Sequence, residues 1–364
     1  MKKHLFKFLA VFLSVLIAVM SFPLSAFATS INGTNGQKET QTSSNIRKDT
    51  YEIIELRDEY VKQFKQQDGT IFAIQYSDPV HYLDANGKWA DIDNTLSPSG
   101  NEFSIPNAKV KFAKKITGNE SVFTLHSGNR KIEIGLINSV KKTAGKVQSV
   151  DSYSNVNATE LQKMMTLDKL SSKIIYENIL ENVDLEYILV SNNIKENIIV
   201  KSAKSEYVFN FTLSLNNLSA EKSTDGSILI SDTSSGEPVY VIPAGFMFDS
   251  AGEKSDLVEY ELSSSGNGKY LLTITADKEW ANDEKRVFPL TIDPSIGVPS
   301  STVTDLDISS SSVDRSSPTD PSMFVSNIWH GYWKTSTLPT LPDSAYITSA
   351  YISMYSTSTG GNYV

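Results

Sequence analysis

The sequence of 364 residues contains no cysteine. This absence excludes disulfide bonds, thiolate metal sites, cysteine nucleophiles and lipid attachment through a cysteine. Chemistry in this chain must therefore come from carboxylates, hydroxyl groups and four histidines.

Basic residues are fewer than acidic residues. The chain has 33 lysines and arginines against 42 aspartates and glutamates, which gives a net charge of −9 at pH 7. An acidic chain lacks the basic footprint that attracts phosphates. We therefore expect no nucleic-acid partner.

A long apolar run occurs only at the N-terminus. The basic residues of Met1–Lys7 precede an apolar stretch, Phe8–Met20, and the small residues Ala26 and Ala28 form a cleavage pattern. These features predict a secretory signal peptide over residues 1–28, cleaved after Ala28. The alternative is a membrane anchor, but an anchor needs about 20 apolar residues. We expect a secreted, extracellular protein that has no membrane contact after cleavage.

Apolar residues make up 40% of the chain and charged residues 21%, a balance typical of a folded protein. A leader over residues 29–50, rich in Gly, Asn, Ser and Thr, is expected to be flexible. From Tyr51 onward, short apolar runs alternate with turn signals. This texture predicts an all-β protein of antiparallel β-sandwich type.

Several strands and hairpins can be assigned. Asn86-Gly87 predicts a hairpin between Val80–Leu83 and Lys88–Ile92, and Tyr207–Leu215 alternates apolar and polar residues as a half-buried strand does. A hairpin across Asp68-Gly69 requires Val61–Lys65 as a strand, although Glu52–Phe64 can also be drawn as an amphipathic helix. We favour the strand. A single short helix is predicted near residues 157–170.

A domain boundary is predicted at Asp293–Thr302, where two prolines and a glycine interrupt the pattern. It divides a β-rich region, residues 51–296, from a linker and second domain, residues 297–364. The β-rich region forms either one unit or two lobes, residues 51–150 and 171–296.

Oxygen-rich loops offer a candidate calcium site at Asp91, Asp93 and Asn94. The alternative is that these residues only shape the end of a strand. Neither a Gly-x-Ser-x-Gly elbow nor a His-Glu-x-x-His helix occurs in the sequence. We expect structural histidines, no catalytic residues, no cofactor and no enzymatic activity.

Trp329, Tyr332 and Trp333 form an aromatic group that could stack on the apolar faces of sugars. The alternative is that they form the core of a small β-sandwich. The first interpretation predicts carbohydrate binding at these three residues.

Three segments carry a family resemblance. Pro79–Leu96 (PVHYLDANGKWADIDNTL) resembles the N-terminal region of large, secreted, wall-associated Rhs-repeat proteins of Gram-positive bacteria. Tyr176–Val200 and Gly268–Pro294 resemble later parts of that region, in the same order. Asp307–Tyr355 looks like the opening of a DNRLRE domain, a β-sandwich similar to carbohydrate-binding modules, here expected to be incomplete.

The resemblance implies a cell-wall-associated protein. The family's activity belongs to a C-terminal part that we expect this sequence to lack, so it implies a non-catalytic scaffold or presentation module. The alternative is a carbohydrate-binding module for wall polysaccharide or peptidoglycan. A third interpretation is a wall hydrolase.

Overall fold

The computed structural model describes residues 50–297, except 77, 119, 140–141, 149–166 and 168, together with the backbone of two further strands at 303–309 and 329–335. The predicted signal peptide, with Ala26 and Ala28, and the leader up to residue 49 lie outside the described residues. So does nearly all of the segment for which a helix was predicted, residues 157–170.

The prediction of an all-β, antiparallel protein is confirmed. In the described residues one short α-helix occurs, α1 (Lys278–Ala281), which Asp277 caps by accepting a hydrogen bond from the Trp280 N–H. The strands are β1 (Tyr51–Glu52), β2 (Val61–Lys65), β3 (Ile71–Gln75), β4 (His81–Leu83), β5 (Trp89–Asp91), β6 (Ser97–Ser99), β7 (Glu102–Ser104), β8 (Val110–Ala113), β9 (Lys115–Ile116), β10 (Ser121–Ser127), β11 (Arg130–Leu136), β12 (Thr143–Gln148), β13 (Ser171–Leu180), β14 (Val183–Val190), β15 (Asn193–Val200), β16 (Val208–Asn216), β17 (Leu218–Lys222), β18 (Ile228–Asp232), β19 (Pro238–Ile242), β20 (Phe246–Phe248), β21 (Lys254–Ser255), β22 (Val258–Gly266), β23 (Lys269–Ala276), β24 (Leu290–Asp293), β25 (Val303–Ser309) and β26 (Trp329–Thr335).

Two eight-stranded sheets dominate the fold. The first has the order β22-β23-β16-β11-β10-β8-β7-β6, and the second has the order β21-β20-β24-β15-β14-β13-β12-β9. Smaller sheets are β1-β2-β3, β17-β18-β19, β4-β5 and β25-β26. The segments 51–150 and 171–296 share both large sheets, because β11 pairs with β16 and β12 pairs with β13.

The core lies between the two large sheets. Phe112 and Phe123 of the first sheet contact Tyr187 of the second, with ring centroids 5.3 and 5.1 Å apart. The hydroxyl of Tyr176, on β13, donates a hydrogen bond of 2.6 Å to the carbonyl of Ala113, on β8. Buried apolar side chains from both sheets form one continuous cluster, as expected for a sandwich.

Local patterns account for the elements. On β16, Phe209, Phe211, Leu213 and Leu215 are buried and alternate with polar residues, which confirms the predicted half-buried strand. Pairing of β2 with β3 confirms the hairpin across Asp68-Gly69 and the choice of a strand for Val61–Lys65.

Strands β1 to β5 form a separate N-terminal unit with a small core of its own, in which Phe64 stacks on Phe72 with ring centroids 5.1 Å apart. Asn94 joins this unit to the sandwich: its side-chain amide donates hydrogen bonds to the carbonyls of Leu170 (2.7 Å) and Ser191 (2.8 Å). Within the part of the chain described here, no helix is long and apolar enough to span a membrane.

Candidate functional site

The β4–β5 hairpin brings a histidine and an aspartate together. The carboxylate of Asp84 accepts hydrogen bonds from the backbone N–H groups of Asn86 and Lys88, and Gly87 adopts a φ of +71°, which favours glycine. This confirms the hairpin predicted from Asn86-Gly87. In its register, His81 lies directly opposite Asp91.

Strand β1 and the turn after it contribute Glu52 and Arg57. The guanidinium of Arg57 donates two hydrogen bonds to the Glu52 carboxylate, Nε to Oε1 at 2.7 Å and Nη2 to Oε2 at 2.8 Å. Its Nη2 also donates to Oδ2 of Asp91 at 3.0 Å. Bidentate pairing of this kind holds both carboxylates in defined positions.

Lys62 completes the cluster from β2, the central strand of the small sheet. Its ammonium group forms an ion pair with Oδ1 of Asp91 and lies 3.6 Å from Oε2 of Glu52. Lys62 is buried, so its charge requires these partners. We call the five residues Glu52, Arg57, Lys62, His81 and Asp91 the N-terminal charge cluster.

The imidazole of His81 has two different surroundings. Its Nδ1 lies 2.5 Å from the carbonyl oxygen of Asp58. Because a carbonyl oxygen only accepts hydrogen bonds, Nδ1 carries the proton. Its Nε2 is buried and makes no hydrogen bond, while the nearest carboxylate oxygens, of Glu52 and Asp91, lie 3.6 and 3.5 Å away.

The carboxylates of the charge cluster are held in the ionised form. Burial by itself would raise the pKa of Glu52, but contacts with His81, Arg57 and Lys62 outweigh it and lower the pKa to about 2. The His81 ring and the Lys62 ammonium likewise hold the pKa of Asp91 well below its usual range. Burial would lower the pKa of His81, but the two carboxylates outweigh it and raise the pKa.

The side chains of the three residues of the predicted calcium site contact different partners. Asp91 belongs to the charge cluster. Asp93 accepts the Thr95 N–H at 3.0 Å and pairs with Lys169 at 3.1 Å, and Asn94 bonds the backbone of the sandwich. Calcium binding by Asp91, Asp93 and Asn94 stays a prediction.

The aromatic group lies on β26, which pairs with β25. Trp329 and Trp333 are an even number of positions apart on this strand and pair with Ser309 and Asp305. Tyr332 is an odd number of positions from each of them and pairs with Leu306. Sugar binding by these residues also stays a prediction.

Sequence reasoning missed four members of the charge cluster: Glu52, Arg57, Lys62 and His81. One pair could have been found, because a tight hairpin centred on Asn86 places residue 81 opposite residue 91. Most of the remaining contacts join β1, β2 and the turn between them to the β4–β5 hairpin, about 30 positions further along the chain, and no short motif encodes them.

Comparison with known proteins gives relatives but no fold match. Neither a protein-family model nor a solved structure matches the chain. The chain is 28% identical over 324 residues to tRNA nuclease WapA of Bacillus subtilis strain 168, a match covering 81% of this chain and 13% of that protein. It is 30% identical over 255 residues to tRNA3(Ser)-specific nuclease WapA of Bacillus spizizenii, covering 67% of this chain and 10% of that protein.

A further relative is the wall-associated protein of Geobacillus stearothermophilus, 28% identical over 205 residues, which cover 55% of this chain and 75% of that protein. The name of this last relative refers to the cell wall, whereas the other two names refer to tRNA cleavage. The chain spans only about an eighth of the length of the first relative.

The same names correct two expectations. The absence of enzymatic activity and of a nucleic-acid partner, expected from the sequence, is contradicted by relatives named as tRNA nucleases. Both expectations failed for physical reasons. A net charge averages over 364 residues and does not report on a local site, and catalytic groups need not be adjacent in sequence.

Proposed function

We propose that the chain is an exported, wall-associated β-sandwich region that presents the other parts of a nuclease-type protein at the cell surface. The role at the wall follows the names of the relatives, and the presenting role is the further step. A sandwich of two large antiparallel sheets supplies a stiff body between the wall and a linked domain.

One observation carries this proposal. Matches to a nuclease and to a protein named only for its wall association cover 81% and 55% of this chain, so they must overlap. The overlapping part is common to proteins with different names. Wall association is stated in one of the two names and is compatible with the other, and it is the property we propose for this region.

Binding to purified cell walls tests the proposal. The purified chain should co-sediment with walls from a Gram-positive bacterium, saturably and at physiological salt. A chain that stays in the supernatant at every wall concentration would contradict the proposal. Removing the secondary polymers from the walls before the assay distinguishes peptidoglycan from other wall polysaccharide as the ligand.

A carbohydrate-binding module is the more specific form of this function. Aromatic rings on a strand can cover sugar faces. Trp329 and Trp333, an even number of positions apart on β26, have the spacing that such a surface needs. On this interpretation, Trp329→Ala and Trp333→Ala reduce wall binding, whereas Tyr332→Ala has a smaller effect. If all three variants bind walls as well as the unchanged chain does, the three aromatic residues do not form the binding site.

Nuclease activity is a second candidate, and the names of three relatives favour it. The charge cluster contains residue types used in acid–base chemistry on phosphodiesters, namely a histidine, carboxylates and cations. Incubation of tRNA with the purified chain tests whether the activity resides in this region. Cleavage that is lost in His81→Ala and kept in His126→Ala would place it in the charge cluster, and intact tRNA would assign cleavage to other parts of the protein.

A further inference from the structure

The Nε2 atom of His81 lacks a hydrogen-bond partner at the point where two carboxylates converge. The His81 side chain is fully buried, and its Nδ1–H is bonded to the Asp58 carbonyl. Nε2 faces oxygens of Glu52 and Asp91 at 3.6 and 3.5 Å and makes no hydrogen bond to either. Two anions beside a ring nitrogen favour a cation at this point, either a proton on Nε2 or a metal ion that the three groups bind together.

The spacing of these atoms matches a metal site. One ligand atom each from Glu52, His81 and Asp91 lies within 4.8 Å of the other two. In four-coordinate zinc, bonds of about 2.0–2.2 Å separate neighbouring ligands by about 3.4 Å, close to the distances from Nε2 to the two carboxylates. A small inward movement of three side chains would place all three at bonding distance.

The surroundings of the three residues also resemble those of metal ligands. A ligating histidine almost always donates its other N–H to a carbonyl or carboxylate, which fixes the ring, and Asp58 does so here. Arg57 holds the Glu52 carboxylate with two hydrogen bonds. The Asp91 side chain is 52% exposed, so an ion can enter from solvent and keep a water molecule as its fourth ligand.

We propose that Glu52, His81 and Asp91 bind a divalent transition-metal ion of the zinc type, with one coordination position open to solvent. Lys62 now supplies positive charge at this place through its ion pair with Asp91. The metal ion and the Lys62 ammonium compete for the same carboxylate. Binding of the ion turns Lys62 away toward solvent, which its long, flexible side chain permits.

Zinc titration by calorimetry, with the purified chain freed of metal by a chelator and dialysis, tests this proposal. We expect one zinc ion per chain. Asp91→Asn and Glu52→Gln, which keep size and shape, should each lower zinc affinity at least tenfold. Asp93→Asn and His126→Ala are the matched controls and should bind as the unchanged chain does. Circular dichroism confirms that each variant is folded.

Lys62→Met separates a metal site from a purely structural ion-pair cluster. Because it removes the competing ammonium group, it should increase zinc affinity several-fold. The proposal is overturned if the chain shows no saturable binding at micromolar zinc, if Asp91→Asn and Glu52→Gln bind zinc as tightly as the unchanged chain, or if Lys62→Met binds it no more tightly.

Discussion

Glu196, on β15, is a carboxyl group inside the sandwich. It is 4% exposed, and its Oε1 accepts a hydrogen bond of 2.7 Å from the hydroxyl of Tyr187, directly across on β14. Burial, reinforced by the negative charge of Asp293, raises the pKa of Glu196 to about 8, although the Tyr187 hydrogen bond opposes the shift. At neutral pH the folded protein therefore holds a proton on Glu196 that the unfolded chain releases.

This proton predicts a pH dependence of stability. Between the ordinary glutamate pKa of 4.5 and the folded value of about 8, the folded state binds more protons than the unfolded state. The contribution of Glu196 to the free energy of unfolding therefore decreases as pH rises through this window. Glu196→Gln, which retains an acceptor for Tyr187, should remove that decrease and stabilise the protein at pH 7 by roughly 2–3 kcal/mol.

Urea unfolding at pH 5 and pH 7 measures the effect. The gain in Glu196→Gln should be larger at pH 7 than at pH 5, whereas Glu259→Gln, at an exposed position of β22, should show no such difference. An equal gain at both values of pH would show that Glu196 is ionised in the folded state.

At the scale of elements, the turn between β22 and β23 depends on close backbone packing. Gly268 has a φ of +69°, and its carbonyl accepts a hydrogen bond of 2.7 Å from the Leu215 N–H on β16. A Cβ at Gly268 would lie 2.2 Å from the Leu215 carbonyl oxygen, so the backbone would have to move. Gly266, the last residue of β22, also has a positive φ, but a Cβ there meets no atom within 4 Å.

The two glycines therefore allow a matched test of strain against steric clash. Gly266→Ala should cost about 1 kcal/mol of stability through backbone strain alone, and Gly268→Ala should cost about 2–4 kcal/mol because it adds the clash. Thermal unfolding of both variants measures the difference. Equal losses would mean that the turn relaxes away from β16 without cost.

Local elements were more predictable than their long-range pairing. Dipeptide turn signals located the hairpins β2–β3 and β4–β5, and the alternation of Tyr207–Leu215 located β16 with its buried face. Pairing of β11 with β16 could not be read from the sequence, because it joins residues about 80 positions apart and depends on packing across the whole sheet. The charge cluster could not be predicted for the same reason, because its contacts also depend on long-range strand pairing.

At the scale of the whole molecule, one core unites the two large sheets, and Asn94 bonds the N-terminal unit to them. A wall-facing region needs this continuity, because a domain attached to it is held in place only if the region stays folded. The relatives support a role at the wall, and presentation of a linked domain is our proposal for how the chain fulfils it.

Fractionation of Gram-positive cells that express the chain with a reporter enzyme fused after Val364 tests this proposal most directly. We predict that the reporter activity is found mainly in the wall fraction, that it is accessible to added substrate, and that a fusion of residues 1–50 to the same reporter releases its activity into the medium. Equal release of both fusions into the medium would contradict the proposed role.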